Sequence, residues 1–445
     1  MPVLGPRLVV AGTASGVGKT TVATGLMAAL RRRGLTVASA KVGPDFIDPG
    51  YHALATGRPA RNLDAWLCGA ETMGPLAARA GLDADILVVE GVMGLFDGAA
   101  DQTGATATTA EMAALLDAPV VLVVDAAGLS GSVAALVHGF HTWDPSVAVA
   151  GVVVNRVASD SHETMLRAAL APLGLPVLGV VRRDPRLRWR DRHLGLVPVV
   201  EDEPRVRRSL DALADVVDHD CDLDAVLALA RSSAPVTVGD VLQARLAGRA
   251  RVAVVGGRGF SFTYPDNLEL LQQAGAELVP LDPEVDGRLP EGVDAIYVGG
   301  GFPEVYAASL AANRALLDDV AQRVGAGMVT WAECGGLLWL ARSMDGHPMA
   351  RAIDADARMT DQLTLGYRRA VTAVDTPLAP AHTELRGHEF HYSVIDPPGD
   401  ALAWEGRHAR GRAGFASPRL LASYLHLHLA AHPEQAERFV ACASG

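Results

Sequence analysis

The chain has 445 residues, 49% hydrophobic and 20% charged, with a formal net charge of −12. That length exceeds what one ordinary core holds, so two domains are expected, and the negative balance excludes nucleic acid as the main partner, since phosphate backbones require a basic footprint. No apolar stretch approaches the roughly 20 residues that span a bilayer, no signal-peptide pattern opens the chain, and the cysteines show neither paired metal spacing nor a disulfide framework.

The chain therefore reads as a soluble, cytoplasmic protein of a reducing compartment, with no membrane partner. Its one basic stretch, "RRDPRLRWRDRH" at 182–193, reads as a solvated loop or as the edge of an anion site.

In chain order, "RLVVAG", "TVASAKVG", "DILVVEG", "APVVLVVDA" and "VAVAGVVVN" are apolar runs of the kind that form strands buried on both faces. Between them lie helical stretches such as "TTVATGLMAALRRRG", whose Gly34 suits a helix stop. The alternation predicts an α/β fold with a doubly wound parallel sheet. Near residue 240 the rhythm lapses, then restarts with "RVAVVGG", "AELVPLD", "VDAIYVGGG" and "GMVTWAEC". Two α/β domains follow, placed at 1–235 and 249–445.

"GTASGVGKTT" follows a strand and opens a helix, which is the setting of a phosphate loop. The N–H groups of Ser15, Gly16, Val17, Gly18, Lys19 and Thr20 can surround phosphate oxygens, and Lys19 would neutralise their charge. The Thr20 hydroxyl would reach Mg²⁺. Thr13 stands where the strict pattern has its first glycine, and Thr13 and Thr21 are counted with the ATP-binding loop. Acidic groups then fall at strand ends: Asp45 and Asp48 in "KVGPDFIDPGYH", Glu90 closing "DILVVEG", and Asp97 in "GLFDG". Loops at the carboxyl edge of a parallel sheet are where ligands bind. Thr20, Asp45 and Glu90 are the candidate magnesium ligands, and Asp48 and Asp97 the candidate catalytic carboxylates. Asn155 is a candidate adenine contact, with a capping role as the alternative.

In "GMVTWAECGGLLWL" Cys334 sits between a strand and a helix start, the arrangement of a nucleophile elbow, where glycines permit a strained backbone. A helix N-terminus favours a thiolate. The other cysteines, Cys68, Cys221 and Cys442, read as inert core residues. Gly299, Gly300 and Gly301 offer N–H groups that could join that of Gly335 in an oxyanion hole. The candidate bases are His426, His428 and His432; His426 closes a strand-like run and is preferred, with His428 second. His388 and His391 add no recognisable zinc motif.

Together, "GTASGVGKTT", "KVGPDFIDPGYH", "EGVMGLFDG", "FSFTYPDNLELL", "GGGFPEVYA", "AECGGLLWL", "GHEFHYS" and "SYLHLHL" resemble the cobyrinic/hydrogenobyrinic acid a,c-diamide synthases of cobalamin biosynthesis. The similarity runs from about residue 7 to about residue 430. It implies an N-terminal P-loop domain like that of dethiobiotin synthetase and a C-terminal class I glutamine amidotransferase domain. It implies ATP, Mg²⁺, glutamine and a corrin substrate, and it admits a homodimer. Cys334 would attack the glutamine amide. ATP would phosphorylate a corrin carboxylate, and ammonia would displace the phosphate. Lys19 and Thr20 would bind phosphate and magnesium, Glu90 and Asp97 would support metal and γ-phosphate, and Asp45 and Asp48 would lie between nucleotide and corrin carboxylate.

Three features stand apart from the family pattern. Gly-Gly-Arg-Gly at 256–259 replaces an acidic residue and Ala. His428 stands where many glutaminases have a Glu two residues after the base, which implies a dyad. "HPE" at 432–434 matches the usual base-and-carboxylate tripeptide but falls six residues late. The rival readings are a related amidase acting on other tetrapyrrole carboxylates, such as cobyric acid synthase or a nickel tetrapyrrole enzyme, and a partitioning-type ATPase. The latter predicts a lysine at the position of Ala14 and leaves Cys334 unexplained.

Overall fold

A computed structural model of the chain describes residues 2–101, 104–184, 191–192, 195–240 and 243–445. Most of the basic stretch at 182–193 lies outside the described residues; Arg182, at its start, pairs with Glu163 at 2.7 Å. The chain divides into two compact units, 1–241 and 242–445.

The N-terminal unit is built on seven parallel strands. Their spatial order is Val177–Arg182, Val149–Val157, Val120–Asp125, Arg7–Gly12, Ile86–Glu90, Val37–Val42 and Arg61–Leu63. The central strands are buried along their whole length, so unbroken Val/Leu/Ile runs are what they need. The first strand lies where the strand order reverses. Such a reversal opens the crevice at the carboxyl edge that parallel α/β sheets use for ligands. The helix Lys19–Arg32 starts there, and Gly34 at φ 88° ends it as the sequence predicts.

The C-terminal unit has a six-stranded sheet in the order Ala276–Leu281, Ala250–Val255, Ala295–Val298, Val329–Glu333, Leu420–Ser423 and Phe415–Ser417. Only the last pair is antiparallel. One face packs Trp339, Leu316, Leu337 and Cys334; the other packs Tyr297, Trp331 and Phe439. A second sheet, not evident in the sequence, pairs Asp356–Thr372 antiparallel with Glu384–Asp396. It holds the short strand His426–Leu427 against Gly387 and His388.

Gly336 shows how closely the cysteine turn is packed. A Cβ there would stand 2.5 Å from the Val298 carbonyl oxygen and 2.8 Å from Val298 Cβ, inside the neighbouring strand. Gly336→Ala must push backbone against backbone, so it should destabilise the C-terminal unit by about 1–3 kcal/mol. Calorimetric unfolding of the variant checks this, and an unchanged transition would show that the turn can move.

Candidate active site

In the N-terminal unit the loop after strand Arg7–Gly12 turns through Gly16 at φ 77° and Gly18 at φ 96°, conformations that favour glycine. Ser15 and Gly16 form its exposed rim, Thr13 is half-buried, and Thr21 lies half-buried in the first helical turn. The Lys19 ammonium folds back onto the Ala14 carbonyl at 3.0 Å. Burial, and then the charge of Lys41, push Lys19 down to about 8.

Beneath the loop lies a charged cluster. The Thr20 hydroxyl donates to Glu90 Oε1 at 2.6 Å and approaches Asp48 Oδ2 at 3.3 Å. Lys41 Nζ lies 2.7 Å from Asp48 Oδ2 and 2.9 Å from Glu90 Oε1, and it also donates to the Gly91 carbonyl at 3.1 Å. The other Glu90 oxygen meets His52 Nε2 at 2.6 Å. Burial alone would raise the Glu90 carboxyl, but Lys41 and His52 outweigh it and hold it well below the usual range. For Lys41, burial is outweighed by Asp48, Glu90 and Asp45, which hold the ammonium charged. Asp45 caps the turn into the next helix by accepting from the Ile47 N–H at 2.9 Å. Burial and the Asp48 charge push its carboxyl up to about 7.

Lys41 and His52 were not singled out by the sequence. Each lies in a quoted motif, but only the fold turns both toward one carboxylate. Asp97 is outside this cluster: it is exposed and accepts from the Gly94 N–H at 2.9 Å. Its charge does act on Lys19. Asn155 lies against the phosphate loop. Its side-chain amide donates to the Val17 carbonyl at 2.9 Å and packs where Gly18 has no Cβ, so it braces the phosphate loop.

In the C-terminal unit, strand Val329–Glu333 ends at Cys334, whose backbone is at φ 49° and ψ −102°. A β-carbon at positive φ is strained, and such strain at a strand-to-helix turn presents a side chain to a site. The helix behind it, Gly335–Leu340, is only six residues, so its dipole is small. Cys334 is instead hydrogen-bonded to the buried His426 imidazole. Burial would lower His426, but Cys334 and the charge of Glu333 outweigh it and raise the imidazole to about 9.

The glycine loop behaves differently from the expectation. The Gly300 N–H is committed to the Phe262 carbonyl at 3.1 Å, so it is not a free oxyanion donor. What Gly300 supplies is space, because a Cβ there would run into the His426 ring. The Gly301 amide nitrogen is the one beside Gly335, 3.1 Å from where a Gly335 Cβ would stand.

The other histidines are placed elsewhere. His428 Nε2 faces Asp266 Oδ2 at 3.9 Å, and its ring lies against Tyr264 at 4.5 Å. His432 is exposed at a helix start and pairs with Glu434 at 3.0 Å. His388 stacks on His426 at 5.0 Å, and His391 stacks on Tyr424 at 3.7 Å.

Residues 8–197 match the CobQ/CobB/MinD/ParA nucleotide binding domain, and residues 251–434 match the CobB/CobQ-like glutamine amidotransferase domain. A hydrogenobyrinate a,c-diamide synthase of Streptomyces coelicolor is 50% identical, over 98% of this chain and 97% of its own. One from Mycobacterium tuberculosis is 47% identical, again over 98% and 97%. A cobyrinate a,c-diamide synthase of Syntrophotalea carbinolica is 44% identical over 98% of each chain. The chain belongs to the a,c-diamide synthase family.

Within that family pattern, the Arg258 departure has a local explanation. Its guanidinium grips Glu284 with two bonds of 2.7 and 2.9 Å and lies over the Tyr306 ring at 4.8 Å. The arginine thereby ties its loop to the chain that follows Gly299–Gly301. No helix of the described residues is long and apolar enough to cross a membrane.

Lys41 is 5% exposed between two carboxylates, and removing one partner of a buried pair leaves the other uncompensated. Lys41→Met should cost about 3–5 kcal/mol near pH 8. A depressed carboxylate contributes stability above its unfolded value of about 4, and that contribution fades as pH falls through the folded value. The difference between wild type and variant should therefore narrow in acid. Denaturant titrations at pH 8 and pH 3 check this, the lower pH lying below the unfolded value; an equal loss at both would mean that Lys41 acts by packing alone.

Proposed function

We propose that this chain forms amides on the a and c acetate carboxylates of hydrogenobyrinate, with cobyrinate as the alternative ring, using glutamine as nitrogen donor and ATP as the source of activation. The observation that carries this is the Cys334–His426 hydrogen bond at a strained strand-to-helix turn, in a chain whose other unit carries a phosphate loop above buried carboxylates. The metal-free ring is preferred because relatives named for it are 46–50% identical to this chain, against 37–44% for relatives named for cobyrinate.

In the C-terminal unit Cys334 Sγ attacks the side-chain carbonyl carbon of glutamine while its proton passes to His426. The Gly301 and Gly335 amides face the developing oxyanion. The C–N bond then breaks, His426 returns the proton to the leaving nitrogen, and ammonia departs. Water, deprotonated by His426, cleaves the thioester to glutamate and restores the thiol.

In the N-terminal unit the loop amides of Ser15–Thr20 and the Lys19 ammonium hold the ATP phosphates. The donor set suits Mg²⁺: among the described residues no three His, Cys, Asp or Glu side chains form a complete metal cage, but Thr20 and Glu90 place two hard oxygens 2.6 Å apart. Magnesium in such sites takes one or two carboxylates plus phosphate oxygens, and when bound it neutralises phosphate charge. Asp45 belongs with that set. Asp48 and Asp97 face the acceptor carboxylate and the γ-phosphate. A carboxylate oxygen attacks the γ-phosphorus and ADP leaves. Ammonia then attacks the acyl carbon, phosphate leaves, and the amide remains. The acyl phosphate is needed because oxide is too poor a leaving group.

Cys334→Ala should abolish amide formation with glutamine but keep it with ammonium salts, whereas Lys19→Ala should lose both by at least about 10²-fold. Mass spectrometry of hydrogenobyrinic and cobyrinic acids after incubation with ATP, Mg²⁺ and either nitrogen source reads this directly. Two added amides on one ring support the proposal; no amidation of either, with ATP still consumed, points to another acceptor.

A further inference from the structure

We infer that Glu333, the residue immediately before the cysteine, is the carboxylate that positions the glutaminase base, taking at Nδ1 of His426 the place that residue 428 does not fill. The inference rests on reading Cys334 and His426 as nucleophile and base.

Glu333 is 1% exposed, and its Oε2 faces His426 Nδ1 at 3.8 Å. That is a charge contact, and catalytic hydrogen bonds are often long before substrate arrives. The carboxylate is held from two other sides. Oε1 accepts the Leu427 N–H at 2.9 Å, and Oε2 accepts the Tyr297 hydroxyl at 3.2 Å. Tyr297 is itself fixed by stacking on Trp331, with centroids 4.1 Å apart. A side chain so held can aim a charge.

Backbone geometry explains why neighbours in sequence serve one ring. Successive residues of a strand point to opposite faces. The positive φ of Cys334 breaks that alternation, so Glu333 and Cys334 both reach His426. With Nδ1 turned to the carboxylate, Nε2 is left for the thiol. A carboxylate at Nδ1 fixes the tautomer whose Nε2 accepts a proton and stabilises the imidazolium that results. Residue 428 cannot do this: it brings no carboxylate, and its ring is turned to Asp266 and Tyr264.

The titratable groups that act on His426 are Cys334, Glu333, His388, Glu389 and His391. Burial pushes His388 and His391 down, and Glu389 is paired with Arg368 at 3.0 Å. Glu333 is thus the acid placed to act on the base directly.

The test is Glu333→Gln, which keeps the side-chain length and an acceptor for Leu427. Glutamine hydrolysis should fall ~10²–10⁴-fold in kcat with KM changed less than about threefold. Alkylation of Cys334 by iodoacetamide, followed on its own peptide, should slow at least about tenfold between pH 6 and 8, its profile moving to higher pH. This follows because an imidazole without its carboxylate holds the thiol proton less well. Glu333→Asp, which keeps the charge, should recover at least about fivefold of the alkylation rate. Wild-type kcat in Glu333→Gln overturns the inference. So does a lost kcat with an unmoved alkylation profile, or no gain from Asp over Gln; the last comparison stands even if Gln lowers stability. If Cys334→Ala still hydrolyses glutamine, the underlying reading fails instead, whatever Glu333 does.

Discussion

A carboxylate buried at the end of a central parallel strand must find a partner, and this protein meets that constraint twice. Glu90 and Glu333 close strands in the middles of their sheets and are 0% and 1% exposed. An isolated charge there would cost several kcal/mol or more, so each site is built around its compensation. Glu90 draws Lys41 from the adjacent strand, His52 from the helix beyond it, and the Thr20 hydroxyl from the phosphate loop. Glu333 draws the Tyr297 hydroxyl, the Leu427 N–H and the His426 ring. In both cases satisfying the acid brings the site's other parts into register.

The two environments use that acid differently. Around Glu90 a lysine ammonium and an imidazole face one carboxylate, while Asp45 and Asp48 add negative charge nearby, and the excess falls on Asp45. Such a balance is suited to a ligand that brings phosphate and metal charges together. Around Glu333 there is one imidazole, and its charge is shared with a thiol. A single proton moving between sulfur and ring is what acyl transfer from an amide requires. The sites are therefore distinguished less by residue types than by how many charges each leaves unbalanced.

Much of this was legible in the sequence. The unbroken apolar runs gave the parallel strands, the glycine-lysine-threonine loop gave the helix start, and Ala-Glu-Cys-Gly-Gly gave the elbow. Each depends on local backbone chemistry that nearby residues specify. What stayed hidden depends on partners far along the chain. Lys41 reads as an ordinary strand residue until Glu90, 49 positions away, is placed beside it. Gly300 sits beside its site with its N–H already committed to Phe262, and a free amide and a committed one look alike in sequence. The second sheet is hard to see in the sequence because one long strand is mostly exposed and the other buries polar residues, Glu389, His391 and Ser393, at positions where an apolar period would be sought.

The histidines near the C-terminus make the same distinction within a few residues. "HPE" carries the familiar letters, yet His432 begins a helix and meets its Glu in solvent. His426 lies in "SYLHLHL" without a carboxylate two residues on. It is fixed by strand pairing: register sets His388 opposite it, and Leu427 beside it donates to Glu333. A one-residue slip would turn residue 427 toward the cysteine and the imidazole away from it, since side chains alternate. The hydrogen bond from Leu427 to the very carboxylate that faces the ring opposes that slip. The same acid thus sets the strand's register and aims its imidazole, which explains how a base without a neighbouring Glu in sequence can still have one in space.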